Sequence, residues 1–131
     1  MAKPRRRKGS GPTGRAGLGH TPIAVFAQGD RLGVDDLLVE YVRDRLDSKL
    51  GKFSDQINRI SVRFADESGP KGAPTIRCRI ITSLTVGESV TVESQRRYSR
   101  PAFDEAADAH ERAVRRLLER RVGRLRRAAR R

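Results

Sequence analysis

The sequence predicts an α+β fold in which a four-stranded mixed sheet carries two helices packed on one face. Three observations lead to this prediction. Four short segments are apolar or alternate between apolar and polar residues, as strands do. Two longer segments repeat apolar residues at steps of three and four, as amphipathic helices do. The chain has 131 residues, of which 36% are hydrophobic, and this suits a single domain with a modest core.

The first two elements are a strand and a helix. Residues 21–27 form an apolar run that ends before a Gly-Asp pair, which is typical of a strand followed by a turn. The helix is indicated by apolar residues at Val34, Leu37, Leu38, Tyr41, Val42, Leu46 and Leu50. Asp35 and Asp36 lie in its first turn, where the helix dipole favours carboxylates, and Gly51 is expected to end it in a left-handed conformation.

Three further strands follow the helix. Ile60, Val62 and Phe64 alternate with other residues, which indicates a strand with one buried face. The segments 75–83 and 89–95 alternate in the same way and are close enough to form a hairpin. Because a helical crossover between two strands is right-handed and leaves them parallel, we expect the first two strands to be parallel and the later ones antiparallel.

The last helix is predicted to begin at Pro101 and to cover the sheet beside the first helix. Its apolar stripe consists of Phe103, Ala106, Ala107, His110, Val114, Leu117, Leu118 and Leu125. With both helices on one face, the other face of the sheet is expected to lie in solvent. That face would carry Ser61, Arg63, Arg77, Arg79, Thr91 and Glu93.

The positive charge of the chain is concentrated at its two ends. The formal net charge is +13. Residues 1–20 contain six bases and no acid, residues 21–111 are nearly balanced, and residues 112–131 contain ten arginines and one acid. We therefore divide the chain into a disordered basic arm (1–20), an α+β domain (21–122) and an Arg-rich segment (123–131) that is the end of the last helix or a tail. This charge excess indicates a polyanionic partner.

Arginines of the last helix form the candidate binding site. At about 100° per residue, most of them fall on one stripe that a row of phosphates could contact. The candidate RNA-binding residues of this helix are Arg112, Arg115, Arg116, Arg120 and Arg124; the others are Arg96, Arg97 and Arg100 just before it and Arg5, Arg6, Arg7 and Lys8 in the arm. A solvated charged face and a membrane-surface helix are the other interpretations. One sign of charge dominates, however, and the far end has no Trp or Phe to insert into a bilayer.

Few residues are available for catalysis or for binding a cofactor. The chain has two histidines and one cysteine and no recognisable nucleophile or metal signature, so we expect no enzyme activity, small-molecule substrate, metal or cofactor. His110 and Cys78 fall on apolar faces and are interpreted as packed core residues. No apolar segment approaches the roughly 18 residues of a membrane span, so we expect a soluble, cytoplasmic protein.

RNA is the favoured nucleic acid. Nothing in the sequence resembles a helix-turn-helix or a zinc finger, whereas an open sheet face beside a basic helix resembles modules that contact RNA backbones. Tyr98 is the only aromatic residue near the basic patch, so base stacking is not expected to dominate.

Two segments resemble a known family, the bacterial hibernation-promoting factors and ribosome-associated inhibitors. The segment VRDRLDSKLGKFSDQINRISVRF is similar to the family's passage from the first helix into the second strand, and AFDEAADAHERAVRRLLERR is similar to its last helix. The resemblance spans about Ile23 to Arg121. The chain departs from the family pattern in its basic arm, in the position of Tyr98 and in the use of Arg where Lys is common.

The resemblance implies a ribosome hibernation factor that acts under stress or in stationary phase. Such a protein binds ribosomal RNA at the decoding region of the small ribosomal subunit, blocks the sites of messenger and transfer RNA, and inhibits translation. The resemblance carries basic roles over to Arg112, Arg115 and Arg116. The chain resembles the short type of the family or the N-terminal domain of the long type, and we expect the free protein to be a monomer. The open alternative is a general RNA-binding or RNA-chaperone protein without a single ribosomal site.

Overall fold

The computed structural model describes residues 18–19, 21–28, 35–67 and 72–130. Its elements in chain order are strand β1 (Ile23–Gln28), helix α1 (Asp36–Leu50), a 3-10 helix (Gly51–Gln56), strands β2 (Ile57–Asp66), β3 (Ile76–Leu84) and β4 (Ser89–Arg96), and helix α2 (Ser99–Ala129). This order confirms the predicted succession of strand, helix, three strands and helix.

The four strands form one mixed sheet in the order β1-β2-β3-β4. Strands β1 and β2 are parallel, with Ile23 opposite Ile60, because the chain crosses back through α1 between them. Strands β2, β3 and β4 are antiparallel neighbours. The β3–β4 turn contains Gly87, whose φ of 92° suits a residue without a Cβ. The α+β fold with a four-stranded mixed sheet and two helices is therefore confirmed.

Both helices pack against one face of the sheet and share its core. The strand register brings alternate residues together on this face, with Val62 opposite Ile80 and Ile80 opposite Val92. The helices bury Leu38, Val42, Leu46 and Leu50 from α1, and Ala102, Phe103, Ala106, Ala107, His110, Val114 and Leu118 from α2. Burial of each large apolar side chain contributes about 1.5–3 kcal/mol, so this packing determines where both helices lie.

Two details of the first helix differ from the sequence prediction. Gly51 is not left-handed: its φ of −56° and ψ of −34° are those of a right-handed helix, because the chain continues directly into the 3-10 helix. Leu37, predicted on the apolar face, is 66% exposed. It lies about 100° around the helix from Leu38, outside the buried stripe. Asp36 lies in the first turn as predicted, whereas Asp35 precedes the helix and caps it by accepting a hydrogen bond from the backbone N–H of Leu38 at 2.8 Å.

Helix α2 is longer than the sheet it covers. It begins at Ser99, slightly before the predicted Pro101, and it continues to Ala129, so the Arg-rich segment 123–131 is helical as far as residue 129. Leu118 is the last buried residue of the helix. Leu125, which the sequence placed on the apolar stripe, is 63% exposed. The prediction was wrong there because the stripe continues past the end of the surface that buries it.

The folded domain extends slightly into the predicted basic arm. Leu18 is buried, and its backbone N–H donates to Asp47 Oδ1 at 2.6 Å. The backbone N–H of Thr21 donates in turn to the Leu18 carbonyl at 3.0 Å. Leu18 therefore belongs to the core of the domain. Residues 1–17 and 20 lie outside the described residues.

The other face of the sheet is open, and its charges are paired across strands. Glu93 forms ion pairs with Arg79 and, at 3.7 Å, with Arg77. The guanidinium carbon of Arg63 lies 4.5 Å from the centroid of the Phe26 ring. The arginines predicted for this open face are thus present there, but their charge is partly neutralised.

Three polar atoms of the described core have no hydrogen-bond partner: Oγ1 of Thr82 and both ring nitrogens of His110. Thr82 is opposite Val90 in the β3–β4 register, and the Val90 backbone also lies close to His110. Burial lowers the pKa of His110 to about 4, a shift that the Val90 backbone opposes, so the imidazole is neutral at pH 7. This burial confirms the interpretation of His110 as a packed core residue.

We expect the free energy of unfolding to decrease as the pH falls below 6.5. The His110 pKa is about 4 in the folded protein against an ordinary 6.5, so between these values the unfolded chain binds a proton that the folded chain excludes. From pH 7.5 to pH 5 this linkage removes about 2 kcal/mol, measurable by urea unfolding at each pH. His110→Leu should abolish most of this pH dependence. If His110→Leu kept the full pH dependence of the unfolding free energy, that dependence would come from other titratable groups.

Candidate nucleic-acid interface

Contacts with α1 fix the position of α2. Tyr41 donates a hydrogen bond to Asp104 Oδ1 at 2.6 Å, and its ring meets Phe103 edge-on with the centroids 6.0 Å apart. The hydrogen bond to Asp104 raises the pKa of Tyr41, which keeps the phenol protonated. Further along both helices, Lys49 Nζ lies 2.5 Å from Asp108 Oδ1. Because the contacting residue numbers rise together, α1 and α2 run in the same direction.

The acids in the first half of α2 are all paired with bases of α1 or β4 or of the segments next to them. The pairs are Asp104 with Arg45 (3.7 Å), Glu105 with Arg96 (2.6 Å), Asp108 with Lys49 (2.5 Å) and Glu111 with Lys52 (2.8 Å). The hydrogen bonds from the two lysines lower the pKa of Asp108 and of Glu111. Each partly exposed pair stabilises the fold by at most about 1 kcal/mol. Their larger consequence is that the domain itself holds these acids, and of the arginines that follow in the described part of α2 only Arg115 forms an ion pair with one of them.

Beyond Glu111 the outer side of α2 carries arginines. We name Arg112, Arg116, Arg120, Arg124 and Arg127 the arginine ridge. All of them are exposed, and none has an ion-pair or hydrogen-bond partner within the described part of the chain. The ridge lies opposite the stripe of Val114 and Leu118, so packing on the sheet turns these side chains outward.

The other predicted site residues are placed differently. Arg115 lies beside the ridge, but its Nη2 is 2.9 Å from Glu111 Oε2. Arg96 is held in the ion pair given above, and the guanidinium carbon of Arg100 lies 4.6 Å from the Tyr41 ring centroid. Arg97 is exposed, whereas Arg5, Arg6, Arg7 and Lys8 lie outside the described residues. The structure therefore brings together the predicted site residues from Arg112 to Arg124, whereas Arg96, Arg97 and Arg100 lie near the start of the helix.

Sequence analysis did not identify Arg45 of α1. Its guanidinium carbon is 5.9 Å from the centroid of Tyr41, so it shares that ring with Arg100. The signal that would have found it is its position four residues after Tyr41, since such side chains are neighbours on a helix. Arg45 and Arg100 form a second, smaller cationic cluster at the start of α2.

Other kinds of site find little support in the described residues. No group of three or more His, Cys, Asp or Glu side chains among them could hold a metal ion. Cys78 is buried as predicted, and burial raises the pKa of its thiol to about 12, which makes it unreactive. Among the helices of this part of the chain, none combines the length and apolarity needed to cross a membrane. The arginine ridge is therefore the candidate site.

The arrangement of the domain is that of a known protein family. A family model described as "Sigma 54 modulation protein / S30EA ribosomal protein" matches residues 25–122. The chain belongs to this family. The match confirms the resemblance to hibernation-promoting factors and ribosome-associated inhibitors, and it identifies a ribosome-associated modulation factor.

A solved structure is similar to most of this chain. It is the crystal structure of the Thermus thermophilus Protein Y N-terminal domain, with a TM-score of 0.59 and 23% sequence identity. The similarity covers 74% of this chain and 98% of that chain. At this identity the similarity supports the fold. No curated protein matches the sequence.

We expect RNA binding to depend steeply on salt concentration. If five to eight arginines neutralise phosphates, the logarithm of the affinity should fall with the logarithm of the salt concentration with a slope of about −3.5 to −7. Fluorescence anisotropy with a labelled RNA at several salt concentrations measures this slope. Deleting residues 1–15 should reduce the slope without unfolding the domain. An unchanged slope would show that the arm makes no contact, and a slope near −1 in the full chain would contradict binding through the ridge.

Proposed function

We propose that the protein is a ribosome hibernation factor that binds the small ribosomal subunit at the decoding region under stress or in stationary phase. The observation that best supports this is the arginine ridge, a row of exposed arginines without partners in the described residues, in a chain of a ribosome-associated family. Ribosomal RNA offers the row of phosphates that such a surface fits. A ribosomal target also implies a cytoplasmic protein.

The rest of the domain gives the ridge a fixed shape. Phe103 and Val114 anchor α2 in the core, and the pairing of its acids leaves the ridge charge unneutralised. Phosphate contacts position a protein on RNA but carry no sequence information. We infer that selectivity for one ribosomal site comes from the fit of the whole domain between RNA surfaces, with the ridge supplying most of the affinity.

In this proposal, inhibition of translation is steric and involves no catalysis. A folded domain that occupies the decoding region excludes messenger and transfer RNA by filling their space. This requires one copy per small subunit, a monomeric free protein and no cofactor. Because charge contacts dominate, binding is reversible, and idle ribosomes return to use when the factor dissociates.

A general RNA-binding or RNA-chaperone protein is the second candidate. Arg124 and Arg127 support it, because they lie past the last buried residue of α2 and the domain does not constrain them. The two functions differ in stoichiometry. One saturable copy per small subunit, displaced by transfer RNA, would support hibernation, whereas binding in proportion to RNA length would support the second candidate.

We expect the double variant Arg112→Glu and Arg116→Glu to lose small-subunit binding while the domain stays folded. Both side chains are exposed on the side of α2 opposite Val114, so the change removes no core packing. Each reversal replaces attraction to phosphate with repulsion, and a combined loss of about 3 kcal/mol lowers affinity more than 100-fold. Cosedimentation with purified subunits and inhibition of cell-free translation should fall together.

The matched control is Arg59→Glu with Arg63→Glu, which changes the net charge equally on the open face of the sheet. It should bind nearly as tightly as the wild type. Equal losses in both double variants would show that net charge determines affinity. If the folded Arg112→Glu, Arg116→Glu protein inhibits translation at the wild-type concentration, both the site and the steric mechanism are wrong.

A further inference from the structure

The end of α2 extends past the last residue that the helix buries in the core. Leu118 is its last buried residue, and every residue from Arg124 to Arg130 is exposed. We name residues 119–129 the overhang; at 1.5 Å per residue it reaches about 16 Å past Leu118. The family match ends at residue 122, so most of the overhang lies outside the matched region.

Arginines cover a wider arc of the overhang than of the part of α2 that lies over the sheet. The three arginines between residues 112 and 116 lie within an arc of about 100° around the helix axis. Those of the overhang extend from Arg126 to Arg121 over an arc of about 220°. The remaining side carries Val122 and Leu125, which are 42% and 63% exposed. The overhang thus has a broad cationic arc and a narrow apolar strip.

A broad cationic arc fits two walls of phosphates better than one row. Arg121 and Arg126 leave the helix in directions about 140° apart, so they do not reach the same row of phosphates. Two facing walls occur in the groove of a base-paired nucleic acid. A helix with its side chains is about 10–12 Å across, which a major groove about 12 Å wide admits but the narrow groove of regular A-form RNA does not.

We propose that the overhang inserts into the widened major groove of a base-paired ribosomal RNA segment, beside a bulge or internal loop. This inference rests on the proposed function and names the RNA feature that the same surface takes. Val122 and Leu125 continue the sheet-facing stripe of Leu118, and Val122 and Arg126 line a cleft with Phe53 of the domain. The rest of the arginine arc faces away from the domain. The groove therefore encloses the outer side of the helix, and the domain remains outside the RNA.

Repulsion within the overhang also indicates an anionic occupant. Arg120, Arg124 and Arg127 are spaced by four and three residues, where like charges destabilise a helix, and Glu119 is the only acid of the segment. Phosphates on both sides would relieve this repulsion. An acidic protein segment bound to the apolar strip of Val122 and Leu125 would leave the far side of the arc unneutralised. The RNA groove is therefore the better occupant.

The test compares three proteins of identical charge. Gly123→Pro ends the helix near the start of the overhang, because proline lacks an N–H and clashes with the preceding turn. Gly123→Ala strengthens the same helix, and its Cβ meets only the end of the Arg127 side chain at 3.4 Å. The probes are an RNA hairpin with a bulge of a few nucleotides, the same hairpin without the bulge, and a single strand of equal length. Circular dichroism and thermal unfolding verify that the domain stays folded.

The wild type and Gly123→Ala should bind the bulged hairpin about tenfold more tightly than the unbulged one, and Gly123→Pro should lose that preference. Arg121→Gln and Arg126→Gln, on opposite flanks, should each reduce the magnitude of the salt slope by about one.

Two results would overturn the proposal in favour of a flexible cationic chain. One is that the wild type binds all three RNAs with equal affinity, and the other is that Gly123→Pro binds the bulged hairpin as tightly as the wild type does. If only one of the two flank substitutions reduced the salt slope, the proposal would be overturned in favour of a single row of phosphates. If Leu125→Ser weakened subunit binding but not hairpin binding, the overhang would belong to a protein contact.

Failure of this inference is distinguishable from failure of the proposed function. Gly123→Pro keeps Arg112 and Arg116, so it should still cosediment with small subunits at reduced affinity. Cosedimentation equal to that of the wild type would overturn the overhang contact alone. Absence of saturable cosedimentation by the wild type would overturn the hibernation proposal, whatever the hairpin measurements show.

Discussion

The ion pairs between α1 and α2 determine what the outer surface of α2 can bind. Lys49 and Lys52 draw Asp108 and Glu111 to the α1 side of the helix, and Arg96 holds Glu105 at its start. These surface pairs add little to stability. By occupying these acids, however, they leave the arginine ridge without an ion-pair partner among the described residues. An ordinary amphipathic helix is thereby divided into an anionic half fixed to its own domain and a cationic half available to another molecule.

Pairing, rather than the number of arginines, distinguishes the two exposed faces of the domain. The open sheet also displays arginines, but Glu93 pairs with two of them, and Arg63 lies over Phe26. On the ridge no arginine forms an ion pair with another described residue. The composition indicates a polyanionic partner for the whole chain, yet only the tertiary arrangement shows which face carries an unneutralised field. This is why the ridge, and not the sheet, is the better candidate for contact with RNA.

Local periodicity was sufficient to predict the elements and their order, because each strand and helix buries one face against a common core. It failed at Leu125, whose exposure depends on how far the core extends along α2. It also failed at Gly51, whose backbone conformation depends on the 3-10 helix that follows. The ridge followed from the period of a helix alone. The cluster of Arg45 and Arg100 on Tyr41 did not, because it joins residues of two helices whose relative register is set by tertiary packing.

In this proposal the two parts of α2 have different roles: the part over the sheet stabilises the fold, and the overhang binds RNA. An isolated helix of this length is not stable in water, but here it continues a helix already held by the sheet, so no new nucleus is needed. Gly123 and the neighbouring arginines act against its helicity, while arginines near the C-terminus favour the helix dipole. These opposing effects are of similar size, so the helicity of the overhang is sensitive to the anions around it. A groove lined with phosphates would shift that balance towards the helix, whereas the packed half of α2 keeps its conformation with or without a partner.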